Sequence, residues 1–252
     1  MSPAPLVSII TPAYNAAALI GETIASVQGQ TFGDWEMLIA DDASSDDTCA
    51  VVEGFAAADP RIRLTRQARN GGPAAARNAA LAEARGRFIC FLDSDDLWLP
   101  EKLERQLAFM TERHAAFSYT AFRRISHDGR TLGRLIRVPD SLSYRQLLRN
   151  TAIATLTVMI DRERTGPFRL TDCGYDDYAL WLELLRRGFT AEGLQQDLAR
   201  YRVVGGSVSS RRGRSIAWVW HIYRRVEALG PLQALWCLGH YGGRAAMKRL
   251  RF

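Results

Sequence analysis

The chain has 252 residues, 47% of them hydrophobic and 24% charged, a composition that excludes wholesale disorder. That length makes one large domain or two small ones, enough to bury roughly 70–75% of the unfolded surface. The net charge of +6 is uneven: residues 211–252 hold nine Lys/Arg against one acid, Glu227, whereas residues 1–210 hold 24 basic against 26 acidic residues. A body with a slight acidic excess argues against nucleic acid as a partner, and the basic C-terminal stretch stands apart.

Cys49, Cys90, Cys173 and Cys237 are far apart and form no C-x-x-C, which argues against a disulfide scaffold or zinc ribbon and fits a reducing compartment. The opening MSPAPLVSII has no basic leader and no long apolar core, so a cytoplasmic location is expected. No apolar run approaches the ~20 residues of a membrane span.

In chain order, residues 6–11 read as a strand ending in Pro12 and a Tyr14-Asn15 loop, and residues 17–30 as a helix with Leu19, Ile20, Ile24 and Val27 near helical spacing. Residues 35–40 predict a second strand ending at Asp41-Asp42. Residues 44–47 supply cap chemistry for a helix to about residue 58. A short strand at 61–65 leads to Asn70-Gly71-Gly72-Pro73, a turn with proline at the start of an Ala-rich helix. A fourth strand, 88–92, ends at Asp93-Ser94-Asp95-Asp96, and Pro100 opens another helix. This alternation predicts β-α-β units in a mostly parallel, doubly wound α/β sheet. Beyond it, 117–125 and 131–138 flank a hairpin turn at 127–130. Strands are expected at 156–160 and 198–203, and a helix at 178–187. Residues 211–252 read as a helical, basic tail broken at Gly230-Pro231 and again at Gly242-Gly243.

Ligands of open α/β sheets bind beyond the carboxyl ends of the strands, where Asp41-Asp42, Asn70-Gly71-Gly72 and the Asp93–Asp96 cluster fall. Each aspartate taken alone is equally explained as a helix cap. Three carboxylates in four residues are harder to explain, because they repel one another unless a cation sits among them; Mg²⁺ or Mn²⁺ suits such oxygens. No G-x-G-x-x-G and no P-loop lysine follow the first strand, which argues against a nicotinamide oxidoreductase or P-loop ATPase. The glycine turn could turn backbone N–H groups, with Arg77, towards a phosphate; an ordinary turn explains the glycines about as well.

The residues 7–15, VSIITPAYN, resemble the opening of family 2 glycosyltransferases of the GT-A fold. So do Ile39-Ala40-Asp41-Asp42 with Ser44-Ser45-Asp46, Asn70-Gly71-Gly72-Pro73 with Ala76-Arg77-Asn78, and Phe91-Leu92-Asp93-Ser94-Asp95-Asp96. In the second half, Tyr175-Asp176-Asp177-Tyr178 with Leu180-Trp181-Leu182 looks like the family's E-D-x-x-L-W-L segment, and Tyr201-Arg202 with Ser207 and Ser209 like its Y-R…S-x-S segment. The resemblance covers roughly residues 6–210. It implies a GT-A catalytic domain over 1–210, with a nucleotide-binding half at 1–100 and an acceptor-binding half at 101–210. Pro12, Tyr14 and Asn15 would face the nucleotide, Asp41 would accept the N3–H of uracil or, equally, of thymine, so that UDP and dTDP donors both fit, and Gly71, Arg77 and Asp93 would serve the ribose and diphosphate. Asp95 with Asp93 would hold a divalent metal, Mn or Mg. Asp177 would take the acceptor proton in a single displacement, hence inversion; its neighbour Asp176 replaces the commoner glutamate and leaves open which of the pair is the base. Val204 stands where many relatives have a histidine. The four histidines match no family motif and read as surface or packing residues.

In the tail, Val219, Ile222, Tyr223, Val226 and Leu229 form one apolar stripe among Trp218, Trp220, Trp236 and several arginines. A helix in the interface of an anionic membrane and a helical hairpin packed on the catalytic domain both fit. The sequence as a whole points to a metal-dependent inverting transferase passing a sugar from a nucleotide donor, UDP-linked by expectation, to a saccharide or lipid-linked saccharide acceptor in bacterial surface-polysaccharide assembly. The alternatives are a non-catalytic nucleotide-sugar-binding or scaffold protein of the same fold and, less compatible with residues 11–15, a nucleotidylyltransferase.

Overall fold

The computed structural model describes residues 4–203 and 212–249, with the side chains of 212–215 and 244–249 excepted. Val204, Ser207, Ser209 and Arg211 lie outside the described residues. One sheet runs through the molecule. Its first four strands are β1 (Val7–Ala13), β2 (Trp35–Asp41), β3 (Ile62–Arg66) and β4 (Phe88–Phe91). They stand in the order β3-β2-β1-β4, every pair parallel. β1 and β2 are almost wholly buried, as strands covered on both faces must be, which is why their sequences are near-continuous apolar runs.

The intervening helices follow the expected positions closely. α1 (Ile20–Gln28) buries Ile20, Ile24 and Val27; α2 is Thr48–Ala58 and α3 is Pro73–Glu83. α3 begins with proline at its first position, just after Gly72 at φ +84°, a conformation that glycine alone adopts without cost. A side chain at Gly86 would lie 2.6 Å from the Ser8 backbone nitrogen, so glycine is required where β4 approaches β1.

Beyond β4 the sheet becomes mixed. β5 (Leu97–Trp98), α4 (Lys102–Glu112), β6 (Phe117–Ile125), β7 (Leu132–Ile136), β8 (Ser141–Leu142), α5 (Tyr144–Leu147), a 3-10 turn at Thr155–Thr157, β9 (Met159–Asp161), α6 (Arg162–Thr165), α7 (Asp176–Arg186) and β10 (Ala191–Arg202) follow in turn. The order continues β4-β9-β6-β10-β5. β9 is antiparallel to both neighbours, and β10 runs parallel to β6 with two register shifts. The expected hairpin is β6–β7. The last strand starts seven residues earlier than the sequence suggested, because residues 191–197 draw their strand pairing from β6 and not from an apolar pattern of their own.

Two apolar layers flank the sheet. Helices α1, α2 and α4 cover one face. α3 and α7 cover the other, together with α8 (Arg212–His221), a π-helical turn at Ile222–Val226 and α9 (Pro231–Arg249). Trp181 of α7 anchors this second layer against Phe91 and Phe117, with ring centroids 5.6 and 5.3 Å away. The tail's apolar stripe packs inward: Val219, Ile222 and Tyr223 are fully buried in that layer. α9 runs straight through Gly242-Gly243, so the second break expected there does not occur. Helix hydrogen bonding tolerates the two glycines at a modest propensity cost.

Candidate active site

The carboxyl ends of β1, β2 and β4 open onto one cleft, with α3, the start of α7 and the end of β10 around it. Tyr14, directly after β1, is 52% exposed. Asn15 takes a left-handed backbone, φ +47°. Its carboxamide oxygen accepts from the Ser45 N–H at 2.8 Å, and its own N–H donates to Ser44 Oγ at 2.9 Å, so Asn15 shapes the loop. Asp41, at the end of β2, is buried. Its Oδ2 accepts from the Ser44 N–H at 3.0 Å, whereas Oδ1 is buried and has no donor. The Cys49 thiol beside it is pushed up by burial and then by Asp41. A buried carboxylate oxygen without a donor is costly and marks a place for an N–H from outside the chain.

Asp42 has a different task. Its carboxylate accepts from the Gly71 and Gly72 N–H groups, both at 2.8 Å, and from Gln67 Nε2 at 3.1 Å. The glycine turn therefore directs these N–H groups inward to Asp42 and not, as expected, outward to a phosphate. Arg77 is corrected in the same way. Its Nη1 donates to Asp176 Oδ2 at 2.8 Å and its Nη2 to Asp93 Oδ1 at 2.6 Å, so this buried guanidinium is held between two carboxylates of the chain itself. Burial works against its charge, but Asp93, Asp176 and Asp177 outweigh burial and raise the guanidinium well above its ordinary value. One arginine thus joins the end of β4 to the start of α7.

Of the clustered carboxylates, Asp96 turns away from the cleft. It is buried, accepts from the Arg202 N–H at 2.8 Å, and is raised well above the usual carboxylate range by burial, with Asp95 and Asp93 adding. Asp95 is pushed up to about 6 by burial and then by Asp93, with Arg202 and His127 opposing. His127, which matches no family motif, therefore lies within electrostatic reach of Asp95. Among the described residues no three side chains of metal-ligating type converge. Asp93 and Asp95 still fit a hard divalent cation as a two-carboxylate seat: the mutual repulsion that raises Asp95 is what such a cation relieves, and oxygens from a ligand and water complete its shell.

At the start of α7 the two aspartates part company. Asp176 is buried against Arg77; its carboxyl is raised, because burial, with Asp177 adding, exceeds what Arg77 restores. Asp177 is half-buried, accepting from Thr155 Oγ1 at 2.5 Å and from the Tyr178 N–H at 2.7 Å. Two residues to which the sequence gave no role complete the cleft. Thr155, in a segment without any motif, orients Asp177. Arg202, in the noted Tyr201-Arg202 pair, binds the Asp95 carbonyl at 2.8 Å, the His127 carbonyl at 2.7 Å and Glu22 Oε2 at 2.5 Å, fixing the Asp93–Asp96 loop.

A parallel β/α half, joined by a buried arginine to a carboxylate-bearing helix N-terminus, has the organisation of a GT-A glycosyltransferase. Residues 8–174 match the model of glycosyl transferase family 2, and the chain belongs to that family. It is 45% identical over 247 residues, 98% of each chain, to a Bacillus subtilis (strain 168) protein named as the teichuronic acid biosynthesis glycosyltransferase TuaG. It is 38% identical over 218 residues, 86% of this chain and 85% of the relative, to the Escherichia coli UDP-Glc:alpha-D-GlcNAc-diphosphoundecaprenol beta-1,3-glucosyltransferase WfgD. Its fold is similar to that of the mannosyltransferase PcManGT from Pyrobaculum calidifontis in complex with GDP-Man and Mn²⁺, with a TM-score of 0.71 at 20% identity over 100% of this chain and 77% of the other.

Proposed function

We propose that the protein transfers a sugar, with inversion, from a UDP-linked donor to a lipid-linked saccharide in surface-polysaccharide assembly. The Asp93–Arg77–Asp176 bridge carries the reading. A donor-side carboxylate and the α7 N-terminus share one arginine and hence one cleft, as a direct displacement between donor and acceptor requires. The unpartnered Asp41 Oδ1 supports a uracil N3–H as its donor, with Tyr14 and Pro12 beside the base. The names of the relatives support the donor class, the acceptor class and the polysaccharide setting.

In this reading Asp177, oriented by Thr155, accepts the proton of the acceptor hydroxyl. The freed oxygen attacks the anomeric carbon from the face opposite the nucleotide, and the bond from that carbon to the diphosphate oxygen breaks with its electrons leaving on UDP. Asp95 and Asp93 would hold the divalent ion, which supplies Lewis-acid stabilisation of the departing diphosphate. No helix of the described residues is long and apolar enough to cross a membrane. Leu232, Leu235 and Trp236 of α9, at i, i+3 and i+4, are nonetheless exposed on one face. With the tail's excess of eight positive charges, they support peripheral contact with an anionic bilayer.

The test is calorimetric titration of UDP and UDP-sugars with Mn²⁺ or EDTA, followed by transfer assays on GlcNAc-diphospholipid acceptors. Asp41→Ala is expected to weaken UDP by about 10- to 100-fold, the worth of one charged buried hydrogen bond, and Asp95→Ala to abolish the Mn²⁺ dependence. Equal UDP affinity in parent and both variants, with and without metal, removes the donor and metal assignments. Anionic vesicles should co-sediment the full chain at low salt and release it at high salt; indifference to them removes the membrane contact.

A further inference from the structure

Helix α8 meets the candidate active site at Trp218. The indole of Trp218 lies on Gly174, where an added Cβ would fall 2.4 Å from Cδ1 and Cγ and 2.5 Å from Cδ2. Those atoms form the root of the side chain, so a swing of its far end would not make room. Gly174 also holds φ +89°, which disfavours any other residue independently. The next residue, Tyr175, meets the same indole edge-to-face, with centroids 5.4 Å apart and planes at 72°. Tyr175 is the N-cap of α7, and Asp176 and Asp177 are that helix's first two residues.

The residues that follow Trp218 anchor the segment that carries it. Val219, Ile222 and Tyr223 are fully buried, and the Tyr223 hydroxyl sits 3.0 Å from that of Tyr178 and donates to the Leu148 carbonyl. At the start of α7, Arg77 grips Asp176. The α7 N-terminus is thus held by a buried cation and an indole, and Asp177, half-buried and bonded to Thr155, belongs to the held segment.

We propose that Trp218 is a positioning residue for sugar transfer: by packing on Gly174 and Tyr175 it sets where Asp177 meets the acceptor hydroxyl. The inference rests on the reading of Asp177 as the base. It makes α8 part of the catalytic arrangement and not an accessory to it. A misplacement of the base of about 1 Å is enough to cost ~10²-fold in rate.

Three variants of the full chain test it. Trp218→Ala removes the indole, Gly174→Ala keeps it but pushes it away, and Trp218→Phe keeps an aromatic edge for Tyr175. The first two are expected to speed hydrogen exchange in peptides covering residues 172–178. They should also lower kcat for transfer by about 10²-fold, with UDP affinity and donor KM within twofold of the parent. Trp218→Phe should recover most of both losses. A purely structural role would instead lower Tm, UDP affinity and kcat together. Parent-like exchange at 172–178 in both Trp218→Ala and Gly174→Ala overturns the proposal, as does parent-like kcat in both. If Asp177→Asn transfers sugar at the parent rate, the base assignment fails while the exchange result still decides whether Trp218 holds the segment.

Discussion

The first four strands run parallel, the first three each followed by a helix, and the residues at the ends of β1 and β2 are held from within the first half: Asp41 by Ser44, Asn15 and Asp42 by loops some 30 residues away. Beyond β4, antiparallel and parallel pairs mix, and the site is stitched by contacts across most of the chain. Arg77 reaches Asp176 across 99 positions and Arg202 reaches Glu22 across 180. The loops after β1 and β2 are therefore built within the first half, whereas the Asp93–Asp96 loop and the acceptor side are completed only once the second half has docked. Substitutions should separate the two accordingly.

The largest effect is expected where the halves meet. Arg77→Met leaves the buried Asp176 without its partner and Asp93 without its guanidinium. Breaking a buried pair from one side costs about 3–5 kcal/mol. The variant should unfold at markedly lower urea concentration than the parent and lose both metal-dependent UDP binding and transfer. A variant that binds UDP normally would show that the two halves are coupled less tightly than the geometry indicates.

Asp177→Asn should break only the acceptor side, lowering transfer by about 10²–10⁴-fold while UDP binding persists. Asp176→Asn is the sharper comparison. With Asp176 committed to Arg77, its replacement is expected to cost stability more than rate, and thermal unfolding measured beside transfer rates separates the two. A dead Asp176→Asn beside an active Asp177→Asn would reverse their roles.

The same division governs what could be read in advance. Strand ends, the α3 proline and the acidic clusters of the first half were legible because apolar runs and turn residues fix them locally. The directions of Gly71 and Arg77 were not, since their partners, Asp42 and Asp176, are fixed only by tertiary packing. β10 was half-read because residues 191–197 lack a strand pattern and take their conformation from β6. Thr155 carried no signal at all: a threonine in an apolar stretch acquires meaning only beside Asp177. The tail's stripe was legible as amphipathic, but its burial against α7 depends on Tyr178 meeting Tyr223 and Tyr241 there.

The smallest expected effect lies wholly within the first half and tests its local character. Asp59, just after α2, accepts from Arg61 Nε at 3.0 Å and Nη2 at 2.8 Å and from Gln28 Nε2 at 3.2 Å. The same guanidinium lies 3.8 Å above the Trp35 ring. The Arg61 hydrogen bonds outweigh burial and bring the Asp59 carboxyl from 3.8 down to about 2. A carboxylate depressed in the folded state adds stability that is complete above its unfolded value and disappears as pH falls through its folded one. The contribution should therefore be present at pH 7 and fade between about pH 4 and pH 2. The Arg61 side chain is 41% exposed, so solvent screening holds the gain to roughly 1 kcal/mol or less, about 2–4 °C in Tm for a chain of this size. Asp59→Asn should lower Tm by that amount at pH 7 and approach the parent at pH 2, with UDP binding and transfer unchanged. A Tm gap that stays constant from pH 7 to pH 2 would mean that shape, and not the charge on Asp59, ties Arg61 to the end of α2.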